Sequence, residues 1–296
     1  MGFAVHGNAA GGDGWDSGQA LALDAQGRIV VAGYSSVPLA AGQTLRDRRA
    51  TVWRFLADGT LDATFGTAGF SVLASGTDDE AWGVAVDAQG GIVVTGQVGS
   101  GATQDMGVWR LLEDGSLDPA FGAVGQSTFD DAAGGAGADT GYALTLDAQG
   151  RILVAGRSLA VSGGSDMTVW CVDAAGALDP TFGVGGVAVL NDPGGTVGAV
   201  DVAYGIAVDR LSGQIVVVGN GTGLAGFDAT VWQLDPNGAS DPIFGVGGAV
   251  QHNGAAGGNA SDQARAVTVD LQGRIVVVGM STQATNNTDF AIWRWE

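Results

Sequence analysis

The constraint that dominates this sequence is its own repetition. The segment Gly27–Gly33 (GRIVVAG) returns as Gly90–Gly96 (GGIVVTG), Gly150–Gly156 (GRILVAG), Gly213–Gly219 (GQIVVVG) and Gly273–Gly279 (GRIVVVG). The closing glycines stand 60 or 63 residues apart, and a tryptophan follows each one, at Trp53, Trp109, Trp170, Trp232 and Trp293. Five copies fill the 296 residues without a linker, so residues 1–296 read as a single domain. A repeat of this kind buries its apolar face by stacking on its neighbours, which restricts the chain to ring or solenoid architectures.

Each copy reads as β-structure. In the second, Asp79–Asp87 alternates small and large apolar residues with the period of two that a strand requires. Asp87-Ala88-Gln89-Gly90 is turn chemistry, Gly91–Gly96 a β-branched strand, and Met106–Leu112 a third strand around Trp109. Leu117–Gly122 leads to a short fourth strand near Gly125–Phe129. No window sustains a helical apolar period, so no helix is expected. Large residues fall on one face of the first strand (Leu21 and Leu23, Val84 and Val86, Leu144 and Leu146) and small ones on the other. Such faces interlock when sheets stack radially. Four strands repeated five times therefore predict an all-β, five-bladed β-propeller with four-stranded antiparallel blades. An open solenoid would need polar caps that the sequence lacks. The last copy stops after its third strand, while Gly2-Phe3-Ala4-Val5-His6 matches the missing fourth. The expectation is a ring closed by residues 2–6 pairing with residues 289–295, which hides the sheet edges.

Composition narrows the partners. With 28 Asp, 3 Glu, 12 Arg and no Lys, the net charge is −19. Phosphate backbones and anionic lipid surfaces repel such a chain, so neither nucleic acid nor membrane insertion is expected. The uncharged stretches 211–227 and 242–261 are broken by polar residues and glycine, and neither reads as a membrane span. Residues 1–15 lack a basic start and a long apolar centre, so no signal peptide is expected. Cys171 is the single cysteine, which forbids an internal disulfide. The expected state is a monomer.

Three motifs carry a family likeness. Gly150–Gly156, Asp289-Phe290-Ala291-Ile292-Trp293-Arg294 and Leu178-Asp179-Pro180-Thr181-Phe182-Gly183 correspond to a "DGKILVAG"-like strand, a "DFALARL"-like strand and an "LDxxFGxxG" turn. In these the chain resembles, over its whole length, the bacterial delta-60 repeat. The resemblance implies a propeller fold and an exported or cell-surface protein, and it implies no chemistry. The chain departs from the pattern at the third-strand Trp, where a small residue is usual.

Residues present in every copy serve folding, whereas residues that break the symmetry are candidates for function, because a ligand is rarely fivefold symmetric. The Trp belt is therefore core. Asp24, Asp87, Asp147, Asp209 and Asp270 are turn residues on one rim. Asp16, Asp79, Asp139, Asp201 and Asp262 open the first strands on the opposite rim and are expected to accept backbone N–H groups. The alternative is that two or three of them hold a divalent cation such as calcium. No cofactor is otherwise required.

The symmetry breakers share that second rim. Three residues into the first strand stand Gln19, Trp82, Tyr142, Tyr204 and Arg265, and just after the second strand stand Tyr34, Gln97, Arg157, Asn220 and Met280. Arg49 replaces the third-strand Asp of the other copies. Aromatic faces mixed with Arg, Gln and Asn suit a small polar ligand. The reading is a non-catalytic binding or interaction module that recognises a carbohydrate or another small polar ligand at a central opening, or a protein partner through the same rim. The alternative is a hydrolase, metal-assisted or carboxylate-based, using Glu80, Asp79, Asp139, Asp201 and Asp262. Scarcity of Glu and His counts against it. His6 and His252 make a poor zinc set, and Cys171 has no nearby His to activate it.

Overall fold

The β-branched runs that end in the repeated glycines become the second strands of five antiparallel sheets. The computed structural model describes residues 3–12, 15–38, 47–73, 78–190, 199–222, 226–258, 261–285 and 287–295. The first sheet holds β1 (Asp16–Leu23), β2 (Ile29–Ser36), β3 (Arg48–Phe55) and β4 (Phe70–Leu73). The second holds β5 (Glu80–Val86), β6 (Ile92–Val98), β7 (Asp105–Leu111) and β8 (Gln126–Phe129). The third holds β9 (Thr140–Leu146), β10 (Ile152–Leu159), β11 (Ser165–Val172) and β12 (Val187–Leu190). The fourth holds β13 (Val202–Val208), β14 (Ile215–Thr222), β15 (Phe227–Leu234) and β16 (Ala249–His252). The last holds only β17 (Asp262–Val269), β18 (Ile275–Thr282) and β19 (Thr288–Trp295). Within every sheet the strands lie in chain order. Among the described residues the sole helical element is one 3-10 turn, Gly101–Thr103.

The chain divides into two compact units. One comprises Met1–Asp130, Gly137–Gly141 and Ala174–Ala177 and holds β1 to β8; the other comprises Asp131–Ala136, Tyr142–Asp173 and Leu178–Glu296 and holds most of β9 and all of β10 to β19. In the first unit Val30, Ala32, Ala50 and Val52 of one sheet pack with Ile92, Val94 and Trp109 of the next. In the second, Leu153, Ala155 and Val169 pack with Ile215, Val217 and Trp232, and Val216, Val218 and Val231 pack with Ile275, Val277 and Trp293. The side chains of one face thus fill the facing sheet at close-packed density, with an indole at each junction. The tryptophans are core, as their recurrence predicts.

The Leu-Asp turns lock the ends of these sheets. Asp62 Oδ1 accepts the Thr64 N–H at 3.1 Å and its hydroxyl at 2.6 Å, and Asp179 holds Thr181 in the same way. Each turn then drives a buried Phe (Phe65, Phe121, Phe182) into the core. The turn closes on a glycine with positive φ. At Gly186 (φ +96°) a Cβ would stand 2.5 Å from the Leu178 Cβ, so no other residue fits without displacement.

Two expectations need correction. Gly2 lies outside the described residues, and residues 3–8 form no strand. In its sheet β19 pairs with β18 alone, so the pairing of the N-terminus with residues 289–295 is not present. The segment instead contacts the first sheet: His6 Nδ1 accepts the Trp53 indole N–H at 3.1 Å, its ring lies 5.4 Å from that of Phe70, and Asp16 Oδ2 accepts the Asn8 N–H. Nor are both faces of every sheet covered. Leu21 and Leu23 of β1 are 68% and 63% exposed, and Phe290 and Ile292 of β19 are 73% and 60% exposed.

Trp232 is fully enclosed between two sheets of the second unit. Trp232→Ala should lower the unfolding free energy by about 3–5 kcal/mol, read as a shifted denaturation midpoint at unchanged slope.

Candidate functional site

The repeated glycine and the variable residue are two halves of one local geometry. In β1 the pairing with β2 runs Gly18↔Gly33 and then Ala20↔Ala32, leaving Gln19 as an extra residue. The same shift leaves out Trp82 in β5, Tyr204 in β13 and Arg265 in β17. Each is a β-bulge, which bends the strand and re-aims the extra side chain. Opposite the bulge the first strand presses its backbone onto the glycine. A Cβ on Gly33 or Gly96 would stand 1.8 Å from the carbonyl oxygen of Ser17 or Glu80, and one on Gly219 or Gly279 would stand 1.9 Å from that of Val202 or Gln263. Only glycine permits this approach. Tyr142 holds the equivalent sequence position in β9.

In the second unit the side chains at this position meet. The Tyr142 and Tyr204 rings lie 5.4 Å apart, tilted by 46°, and the Arg265 guanidinium sits 4.2 Å from the Tyr204 ring centroid. Arg265 Nη2 also donates to Gln263 Oε1 at 2.5 Å. The row reads aromatic, aromatic, cation, held by stacking. Asn220 lies across from Val202 at the base of the β13 bulge and is 2% exposed, with no hydrogen-bond donor to its Oδ1. Arg157 pairs with Met167, and its buried Nε–H likewise has no acceptor. Met280 faces Phe290 and Gln263 in its sheet.

The first unit arranges its candidates differently. Arg48 joins Tyr34 and Glu80: its guanidinium lies 5.1 Å from the Tyr34 ring and forms an ion pair with the buried Glu80 carboxylate. Gln97 pairs with Glu80 and Met106 in the sheet register. Arg49 Nη2 is bonded to Asp47 Oδ2 at 2.7 Å, and Gln19 is exposed and donates to Ser17 Oγ. Trp82 is half-buried at its bulge. Within the basic cluster Arg46-Asp47-Arg48-Arg49 the sequence points to Arg49 as the site residue, whereas it is Arg48 that meets Tyr34 and Glu80.

The first-strand aspartates hold loops, as expected from their recurrence. Asp79 accepts the Gly99 N–H, Asp201 the Thr222 N–H and Asp262 the Gly254 N–H, at 2.5–2.9 Å, in the manner of Asp16 with Asn8. Asp139 is buried, and its own N–H donates to the Gln104 carbonyl.

The opposite rim is built from Asp turns. Asp147 Oδ1 accepts the N–H groups of Gln149 and Arg151, while its Oδ2 takes Arg151 Nε at 2.6 Å. Asp24 with Arg28 and Asp270 with Arg274 repeat the pattern. Where the second copy has Gly91, the guanidinium for Asp87 comes from Arg110 at 2.5 Å. A cavity of about 1000 Å³ opens at this rim of the second unit, beside Asp147, Asp209, Asp270, Arg210 and Leu271. The turns themselves consume its carboxylates: Asp209 accepts the Leu211 N–H and the Ser212 hydroxyl. Arg210 and Leu271 stand where other copies have Ala25, Ala88 and Ala148, a symmetry break that the sequence also displayed.

Burial pushes the Cys171 thiol up to about 12, so it stays protonated and is no nucleophile. The Thr64 hydroxyl, helped by its N–H and by Arg54, holds the Asp62 carboxyl below its ordinary 3.8 despite burial. A depressed carboxyl stabilises the fold above that ordinary value and loses its contribution as pH falls through the depressed one. Thr64→Val should therefore raise the Asp62 titration midpoint and start acid destabilisation at higher pH, measurable by carboxyl carbon NMR and melting at stepped pH. Gly219→Ala should cost about 1–3 kcal/mol by overpacking against Val202 and displace Tyr204, seen as a loss of Tyr142–Tyr204 NOEs.

None of the curated proteins compared matches the chain. Among solved structures, a protein of unknown function from Dyadobacter fermentans is 10% identical, over 92% of this chain and 77% of that one, with a TM-score of 0.47. A thermostable family-43 glycoside hydrolase is 10% identical, over 94% and 90%, with a TM-score of 0.46. A gluconolactonase from Xanthomonas campestris is 15% identical, over 86% and 80%, with a TM-score of 0.39. A family model described as a domain of unknown function with a β-propeller fold (DUF5122) matches residues 26–65, 90–121 and 149–182, which supports a β-propeller family for this repeat.

Proposed function

We propose that the chain is a delta-60-type, five-bladed propeller that acts as a non-catalytic binding module, with a carbohydrate or similarly polar small molecule held at the bulged rim. The observation that carries this reading is the contact row Tyr142–Tyr204–Arg265, formed at the first-strand position where the copies vary and where β13 and β17 are bulged. The rings offer faces for sugar C–H patches, and the guanidinium and Asn220 offer hydrogen bonds to hydroxyls. Of the first-strand carboxylates that a hydrolase would recruit, those of Asp79, Asp201 and Asp262 are bonded to loop N–H groups, and Glu80 is paired with Arg48, which favours the binding reading.

The test is a glycan array followed by titration calorimetry on the best hit. One site per chain is expected, in the millimolar to micromolar range, or about 4–8 kcal/mol. Tyr204→Ala should weaken binding at least tenfold while Tyr204→Phe retains it. Equal affinity of wild type and Tyr204→Ala would remove the rim as the site.

A further inference from the structure

We infer that the ligand of the bulged rim in the second unit is acidic: a saccharide bearing a carboxylate rather than a neutral one. The inference rests on the binding reading above and adds the charge of what is bound.

The chain holds 31 carboxylate side chains against 12 arginines, so an arginine left without a carboxylate runs against the composition. Seven arginines follow it. Arg28, Arg48, Arg49, Arg54, Arg110, Arg151 and Arg274 each form an ion pair with Asp or Glu. The pairing is persistent enough that Arg110 reaches from the third strand to Asp87 where the turn lacks its own arginine. Arg157 and Arg265 are different. Among the described residues neither has a carboxylate within ion-pair distance, which is true also of Arg210 at the opposite rim, and both stand on the rim that carries the Tyr142–Tyr204 faces.

Their donors are correspondingly unspent. Arg157 keeps a buried Nε–H with no acceptor, and Arg265 has one Nη on Gln263 and its plane on Tyr204, leaving the rest of its fork open. Buried donors of this kind are paired in stable proteins, by protein, water or ligand. The fork of a guanidinium matches the two oxygens of a carboxylate. Asn220, nine-tenths buried and more, adds an Oδ1 that lacks a donor, as a sugar hydroxyl would supply. Aromatic face, cationic fork and amide acceptor together describe a uronate-like ring. The whole-chain charge of −19 disfavours anions at long range, so any preference for an acid has to come from contacts within the rim.

The experiment compares, by titration calorimetry on the full chain, trimers of galacturonate, glucuronate and mannuronate with their methyl esters, and adds a sulfated neutral trimer. The esters keep the rings and hydroxyls and remove the charge. At least one acid should bind tenfold or more tightly than its ester, and should weaken as salt rises from 50 to 500 mM. Arg265→Gln should bring the acid-to-ester ratio close to one, and Arg157→Gln should lower it, both in proteins whose melting curves show them folded. Equal binding of acid and ester would overturn this inference and leave the binding reading standing. Preference for the sulfated trimer would overturn the carboxylate assignment. Absence of binding to every acid and ester would overturn this inference, while the glycan array alone decides the binding reading.

Discussion

Everything at the bulged rim depends on a side chain that is not there. The carbonyl of Ser17, Glu80, Val202 or Gln263 occupies the space that a Cβ on the facing glycine would need. This approach lets the first strand gain a residue without losing its register further along, where Leu21↔Val31 and Ile206↔Val217 still pair. The extra residue then has no cross-strand partner and no fixed role in the ladder. Fixed glycine and free neighbour are consequences of one backbone event. The scaffold of the sheet and the chemistry of the rim separate at that point.

Beyond the bulge, stability comes from repetition of two other devices. One is the indole wedged between sheets, which fills more space than any aliphatic side chain. The other is the aspartate turn, which appears in two forms. In Asp-Ala-Gln-Gly-Arg turns the carboxylate gathers two N–H groups and a guanidinium, and in Leu-Asp turns it gathers an N–H and, at Asp62 and Asp179, a threonine hydroxyl. A large excess of Asp over Glu follows, because the shorter side chain reaches the backbone two residues on and the longer one overshoots. The acidity of the chain is thus largely a by-product of its turns.

Much of this was legible in the sequence. The strands of the second copy fall within one or two residues of their expected places, since period-2 alternation and the turn residues leave little freedom. The positions of Gln19, Trp82, Tyr204 and Arg265 stood out as symmetry breakers, but that they are bulges did not, because a bulge is a matter of register and the sequence carries no register mark except the glycine across from it. Arg48 was overlooked because its partner Glu80 lies in the next sheet, a contact that no local pattern encodes. The N-terminal segment was misplaced for a related reason. Its pattern matches a fourth strand, yet the partners that hold it, Trp53 and Phe70, belong to the first sheet. Like His6, His252 lies against a belt tryptophan, its ring edge-on 6.0 Å from Trp293.

A bulge also changes how such a chain can drift. A residue outside the ladder contributes no cross-strand pair, so its replacement perturbs neither the pairing nor the indole-filled junctions. Gln, Trp, Tyr and Arg already occupy this one position in different copies, spanning polar, aromatic and cationic chemistry on an unchanged backbone. Duplication of the repeat therefore multiplies recognition elements that mutate almost independently of the stability threshold, much as hypervariable loops do on an antibody framework. The variable letters are carried on a strand instead of a loop, so new specificity arrives already rigid.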